Sequence, residues 1–396
     1  MGKTWTVSSS DRDVAERIPL AEPLIEGNAA AYLAECLASN FVSSVGPFVT
    51  RFEEAFAASV GSRYAVACAS GTAAIHLALL VLDVGPGDEV LVPSLTFVAS
   101  ANPVRYVGAT PILVDSEAET YNGDPDLIVE ELDRRARLGA RQPAAIEIVH
   151  LVGHPADMAS VLAAAERHGI PVIEDASEAL GASYRGGPHD GRAVGTIGRV
   201  GCFSFNGNKL ITTGGGGMLV TDDEPLARRA RHLSTQARLP QRAYDHDEVG
   251  YNYRLSNLAA ALGLAQLETM PDLLVARRAN AARYDAAIAS LSGVRPAPRA
   301  AWADPSFWLY TARIDPDGTN ATRDHVIDAL AAEAIEARPI WTPLHLTRLY
   351  ADAPRLGGRV AGSIFETAVS LPSSSSLGPV AQARVIDALQ RAVAKP

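Results

Sequence analysis

Cysteine is scarce in this chain: Cys36, Cys68 and Cys202 are its three, far apart and without a CxxC pair. That spacing indicates neither a disulfide framework nor a zinc site. Isolated thiols of this kind are expected to be buried and inert, which suits a reducing cytoplasmic compartment. Basic charge is short as well, with 35 Lys and Arg against 45 Asp and Glu and a formal net charge of −10. An acidic surface argues against general nucleic-acid or anionic-membrane binding, while leaving room for a local basic pocket. The longest apolar run, 73–82, is broken by His76 and falls short of the ~20 residues that a membrane helix needs. Met1 to Glu16 is polar, so no secretory leader is expected. No G-x-G-x-x-G follows an early strand, which weakens a nicotinamide oxidoreductase reading.

What remains is an ordinary folded composition, 47% hydrophobic and 20% charged over 396 residues, enough for a core without disulfides or structural metal and for more than one lobe. A leading arm over 17–46 carries one helix, and 48–60 is a second. Strands are expected at 64–69, 89–93, 111–115, 145–152, 171–175, 200–205 and 217–221. Helices are expected at 72–82, 97–107, 124–137 and 156–168. The third of these has clear start signals, with Pro125 early and acids in the first turn. Alternation of this kind predicts an α/β fold, a mostly parallel sheet covered by helices on both faces. From Ser256 the pattern turns helical to about 289. Then come a Pro- and Ala-rich loop at 296–305, a strand at 308–314, and helices at 323–333 and 380–394. Residues 1–255 therefore read as an arm plus a large α/β domain, and 256–396 as a linking helix plus a small α+β domain.

Three places in the large region carry chemistry. Ser70-Gly71-Thr72 follows a strand and opens a helix; it reads either as a plain N-cap or as a phosphate cradle made of helix-terminal N–H groups. The strand ending in Glu174-Asp175-Ala176 puts acids at the sheet edge where ligands gather, or simply at a solvated strand end. Lys209 closes Ser204-Phe205-Asn206-Gly207-Asn208-Lys209, with four glycines at 214–217 just beyond. Alone, it reads equally as a surface lysine beside a flexible loop. Together, the three are the parts that pyridoxal 5'-phosphate requires: an amine for a Schiff base, a carboxylate to keep the pyridine nitrogen protonated, and a helix terminus for the phosphate.

With those stretches, Ile18-Pro19-Leu20, residues 42–46, Val92-Pro93 with Thr96-Phe97, Gly250-Tyr251-Asn252-Tyr253-Arg254 and Pro343-Leu344-His345, the chain resembles the sugar aminotransferases of the DegT/StrS type. These are fold-type I pyridoxal-phosphate enzymes, and the resemblance implies a seven-stranded type of central sheet. It implies that Lys209 holds the cofactor as a Schiff base and shuttles protons, and that Asp175 pairs with the pyridinium nitrogen. Gly71, Thr72 and Ser204 would hold the phosphate. Phe97 would stack on one face of the ring and Ala176 on the other, with Glu178 near the ring hydroxyl. Asn252 would reach the phosphate of a neighbouring subunit, making the unit a homodimer with shared sites. Many members have His or Gln at position 178 and Gly-Glu-Gly-Gly at 214–217; Glu178 and the four glycines here resemble the subgroup that aminates 4-keto-6-deoxy sugars on uridine diphosphate.

The implied reaction moves an amino group from an amino acid, with L-glutamate the expected donor, to a ketone on a nucleotide-linked sugar. A ketone or aldehyde intermediate of natural-product biosynthesis is the alternative acceptor. Dehydrating relatives replace the lysine with histidine, so Lys209 favours transamination, and the presence of Asp175 and Ser204 argues against a non-catalytic homologue. Three other features stay open. His345 is near the active site in the family or serves packing. His150 and His154, four apart, suggest a metal or satisfied loop histidines, with no metal expected. Arg254 contacts a substrate phosphate or pairs with an acid.

Overall fold

The computed structural model describes residues 17–240, 243–319 and 321–394, so the polar leader lies outside the described residues. The chain runs through helices α1 (Ala29–Ser39) and α2 (Pro47–Val60), strand β1 (Tyr64–Cys68), α3 (Gly71–Val81), β2 (Glu89–Pro93), α4 (Val98–Tyr106), β3 (Thr110–Val114) and α5 (Pro125–Leu138). It continues with β4 (Ala145–Val149), α6 (Ala159–His168), β5 (Val172–Asp175), β6 (Ser183–Tyr184), β7 (Val200–Ser204), β8 (Gly217–Thr221), α7 (Glu224–Ser234) and the long α8 (Asn257–Ile288). Then follow β9 (Val294–Arg295), β10 (Ala303–Asp304), β11 (Tyr310–Ile314), α9 (Pro316–Thr319), α10 (Arg323–Ala332), β12 (Arg338–Pro339), β13 (Arg355–Leu356), α11 (Arg359–Thr367), β14 (Ala368–Leu371) and α12 (Pro379–Val393).

The large sheet has the order β1-β8-β7-β5-β4-β2-β3-β13. Pairing is parallel from β7 through β5, β4, β2 and β3 to β13, and antiparallel only where β8 meets β7 and β1. Eight strands thus replace the expected seven, because two residues near the chain's far end add themselves beside β3. Strand alternation explains the layering. On β1, Ala65 and Ala67 enter a core with α2, α6 and α8, while Val66 and Cys68 enter one with α3, α4 and α7. A second sheet, β12-β14-β11-β9, is antiparallel. Its core includes Ile18 of the leading arm, which bridges to Ile335.

Other departures have local causes. The strand expected at 145–152 stops at Val149, because Leu151–Gly153 forms a tight turn with Val152 at φ 48°. The helix expected from 156 starts at 159, since the Ala156 N–H is taken by His150 Nδ1. The strand expected from 308 starts at Tyr310, after Phe307 at φ 51°. The loop expected at 296–305 includes β10, paired with β6. Helix α7 went unread although Asp223 caps it through the Leu226 N–H at 3.0 Å and Pro225 sits at its start. Helix α8 is long and apolar enough to cross a membrane by composition, but it packs against α1 and α2 as a core helix.

Aromatic packing braces the strand that ends in Ser204. Phe56 of α2 meets Phe203 and Phe205 at ring distances of 5.0 and 5.3 Å. Such pairs contribute about 0.5–1.5 kcal/mol each beyond burial.

Candidate active site

The carboxyl ends of β4, β5 and β7 open onto a cavity of about 820 Å³, counted out to its mouth. Val149, Asp175 and Cys202 are side by side in register, and the first two line the floor. Asp175 is buried, its Oδ2 accepting from Ser100 Oγ at 2.8 Å and its Oδ1 from the Ser177 N–H at 3.0 Å. Ser100 Oγ in turn meets Thr96 Oγ1 at 2.8 Å. Of the two strand-end acids, only Asp175 reaches the cavity. Glu174, one residue earlier, points through the opposite face to His150 Nε2 at 2.9 Å and to the N–H groups of Gly195, Ile197 and Gly198.

At one end of the cavity, Ser70 caps α3 by accepting from the Ala73 N–H at 3.0 Å, so the cap reading is correct. The cradle reading is compatible with it, because the first amides of a helix lack partners within the helix and favour anions. Gly71 and Thr72 line the cavity here with Ser204. A Cβ on Gly71 would lie 2.8 Å from Ser204 Cβ, and one on Gly217 2.4 Å from the Ser70 carbonyl oxygen. The absence of side chains at both positions is what lets the helix start, Ser204 and the glycine run converge.

Lys209 projects from the turn after β7, its ammonium 3.5 Å from the centroid of the Trp308 ring. Trp308 is buried and pinned: its Nε1 donates to the Asn208 carbonyl at 2.8 Å, and Arg277 Nη1 donates to its own carbonyl at 2.5 Å. Trp341 stacks on Trp308 with ring centroids 6.3 Å apart and leans on Phe97 at 5.0 Å. Its Nε1 donates to Glu178 Oε1 at 2.9 Å, while the Val152 N–H donates to Glu178 Oε2 at 2.8 Å. Burial holds the Lys209 amine below its ordinary range, against the pull of Glu178 and Asp175. Burial also raises Glu178, against Lys209 and its two N–H donors.

Neither tryptophan stood out in the sequence, since a lone Trp on a strand or loop reads as core. A stronger signal was available for Lys209. The chain has only Lys3, Lys209 and Lys395, so this is the single lysine of the described fold. Arginine cannot deprotonate and serve as the nucleophile in its place. Trp308→Phe should keep a ring under the amine but lose the indole donor, costing about 1–3 kcal/mol and slowing turnover severalfold. Trp308→Ala should cost roughly 3–5 kcal/mol and slow it much further. Urea unfolding and steady-state rates check both, and an alanine variant with the wild-type rate would show that the indole does not seat the amine.

The remaining expectations divide. Phe97 and Glu178 line the cavity, but Ala176 does not; it is wholly buried in the core near Phe203, and Ser177, the next residue, takes the place on the wall. Asn252 is exposed, bridges to Thr235 and stays off the cavity. Arg254 pairs with buried Glu53, as does Arg231 at 3.1 Å. His345 is buried against Ser94 Oγ at 2.6 Å and does not line the cavity. His150 and His154 are satisfied histidines. The acid partner of His150, which nearby sequence lacked, is Glu174 on the next strand, and His154 meets the Pro155 carbonyl and the Ala300 N–H.

Residues 23–390 match the DegT/DnrJ/EryC1/StrS aminotransferase family. This chain belongs to that family. It is a pyridoxal-phosphate-dependent aminotransferase, and the residues fit the cofactor: an amine, a carboxylate and a glycine-lined helix start converge on one cavity. Among its relatives is EpsN of Bacillus subtilis (strain 168), provisionally named a pyridoxal phosphate-dependent aminotransferase. It is 42% identical over 378 residues, 94% of this chain and 95% of that protein. The GDP-perosamine synthase of Caulobacter vibrioides is 42% identical over 376 residues, 95% of this chain and 98% of its own length. Among solved structures, a DegT DnrJ EryC1 StrS aminotransferase from Brucella abortus superposes with a TM-score of 0.85. It is 30% identical, and the match covers 93% of this chain and 96% of that one.

Proposed function

We propose that this aminotransferase carries an amino group from an amino acid, L-glutamate first among donors, to a ketone on a nucleotide-linked sugar. The observation that carries the reading is that one partly buried amine, Lys209, lines a single cavity together with Asp175 and the open start of α3. The acceptor class is supported by the relatives named GDP-perosamine synthase. When bound, the cofactor supplies an aldehyde for the amine and an electron sink for the carbon that loses or gains a proton. Lys209 is the nucleophile and afterwards the base, a role suited to an amine whose neutral form is favoured by burial. Asp175, fixed by Ser100 and Ser177, would be the anion that keeps the ring nitrogen protonated. Gly71, Thr72 and Ser204 would hold the phosphate, Phe97 would cover the ring, and Glu178, which accepts from Trp341 Nε1 and the Val152 N–H, would serve the ring hydroxyl.

In the same reading the division between the large and small domains falls at 255/256, and the protein works in the cytoplasm as a homodimer. Asn252 is free to serve the partner's site because it is exposed and off its own cavity. The test is a panel of UDP- and GDP-linked 4-keto-6-deoxy sugars and simple keto compounds with L-glutamate, read as 2-oxoglutarate release. Turnover of at least one nucleotide-linked ketone, with ping-pong kinetics, is expected. Release with simple ketones or aldehydes alone would move the acceptor to the natural-product class.

A further inference from the structure

Below the floor of the cavity lies a carboxyl group that the transamination chemistry does not use. Glu147 is the middle residue of β4, is wholly buried, and has no hydrogen-bond partner at either carboxyl oxygen. Strand alternation puts it on the same face as Ala145 and Val149. Ala145 packs in the core to which α3 and α4 contribute Leu77 and Ala101. Register then fixes its relation to the site. Val149 lies beside Asp175 in the floor, whereas Glu147 lies beside Ile173, one pleat lower. Glu147 is thus one strand across from Asp175 and about 7 Å down the sheet.

A carboxylate in these surroundings, without a cation or N–H donor, would bear its whole desolvation cost. The uncharged acid is the form such a site admits. The titratable groups within electrostatic reach of it are Asp175 on β5, the Cys202 thiol on β7 and the Tyr350 hydroxyl on the segment before β13. Burial holds Cys202 well above its ordinary value and pushes Tyr350 up to about 12, so both are neutral. Asp175 is the charge that Glu147 meets. Burial first, and that charge second, drive the Glu147 carboxyl well above the usual range.

We propose that Glu147 acts on Asp175 through charge alone, that the site works only while Glu147 is an uncharged carboxylic acid, and that loss of its proton sets the alkaline limit of the site. The proposal rests on Asp175 serving as the anion beneath the cofactor ring. While Glu147 keeps its proton, Asp175 is the one charged carboxylate on this face of β4 and β5 and faces whatever cation binds in the cavity. Once the proton leaves to solvent, two carboxylates share one face of the sheet with no base between them. Adjacent strands β4 and β5 then carry the repulsion, and the seat of Asp175 is disturbed.

The test compares the full-length wild type with Glu147→Gln and with Glu147→Met, an apolar side chain of similar length. In cofactor-free protein, urea unfolding is followed across pH. An acid with a raised folded pKa keeps its proton in the native state after the unfolded chain has lost it. Stability therefore falls as pH climbs from the unfolded value, about 4.3, to the folded one. Relative to either variant, the wild-type unfolding constant should rise about tenfold per pH unit through that window and level off below it. In loaded protein, the wild type should release pyridoxal 5'-phosphate on dialysis at a lower pH than the glutamine variant. A stability difference that ignores pH overturns the proposal, and so does equal cofactor retention at every pH. Failure of the wild type to bind the cofactor at all would count against the functional reading, while the unfolding titration, which needs no cofactor, would still decide the state of Glu147.

Discussion

Lys209→Ala should abolish covalent attachment of the cofactor and reduce turnover by more than the roughly 10²–10⁴-fold that one acid–base group contributes, because the same amine is also the nucleophile. The experiment is unusually clean in this chain. Only Lys3, Lys209 and Lys395 offer a side-chain amine, so borohydride trapping followed by mass spectrometry has a single candidate within the described fold. The wild-type peptide that contains Lys209 should carry the cofactor's mass, and the variant should carry none anywhere. The fold should survive, since the amine's recorded neighbour is the face of Trp308, a contact worth about 0.5–2 kcal/mol. Burial is the reason this amine is fit for its work: each pKa unit that desolvation takes from it multiplies the neutral, nucleophilic fraction about tenfold at a given pH. Trapping at Lys3 or Lys395, or full activity in the variant, would end the assignment.

What the sequence made legible and what it hid follow from range. Strands such as β2 and β5 are short apolar runs between turn residues, and a parallel sheet buries both their faces, so their pattern shows without knowledge of neighbours. Ser70-Gly71-Thr72, the Asp175 strand end and Lys209 are each ambiguous alone and become legible only in combination. Strand β13 was not legible, because two residues become a strand only by meeting β3, more than 200 positions earlier. The partner of His150 was hidden for the same reason, as it lies on the adjacent strand. Ser177 rather than Ala176 reaches the wall because the chain bends after β5, where the Ser177 N–H turns back to Asp175 Oδ1. Trp308, Trp341 and Glu147 carry no local motif. Their meaning comes from what surrounds them, two rings under an amine and against an acid in one case, an apolar core without a donor in the other.

Asp175→Asn should separate holding the cofactor from using it. The amide matches the carboxylate in shape, so Asn Oδ1 can still accept from the Ser177 N–H. Ser100, whose hydroxyl already lies between Asp175 Oδ2 and Thr96 Oγ1, can turn its proton toward Thr96 and accept from the new amide. The packing therefore has no reason to fail, and cofactor retention on gel filtration should persist. The negative charge under the ring nitrogen is lost, however, and with it the reason for that nitrogen to stay protonated. The rate of proton removal from the donor should fall on the order of 10²–10³-fold, the scale seen when one preorganised electrostatic group is removed from an active site. Pre-steady-state spectra of the half-reaction with L-glutamate measure that step directly, and an undiminished rate would refute the role. The same variant probes the acid below. With no anion at position 175, the second of the two influences that keep Glu147 protonated disappears. The pH window over which the unfolding curves of Asp175→Asn and of Asp175→Asn/Glu147→Gln diverge should therefore extend less far into the alkaline range than it does for the wild type against Glu147→Gln. If Glu147 titrates identically in both backgrounds, the two carboxyl groups are not coupled, and Glu147 owes its proton to burial alone.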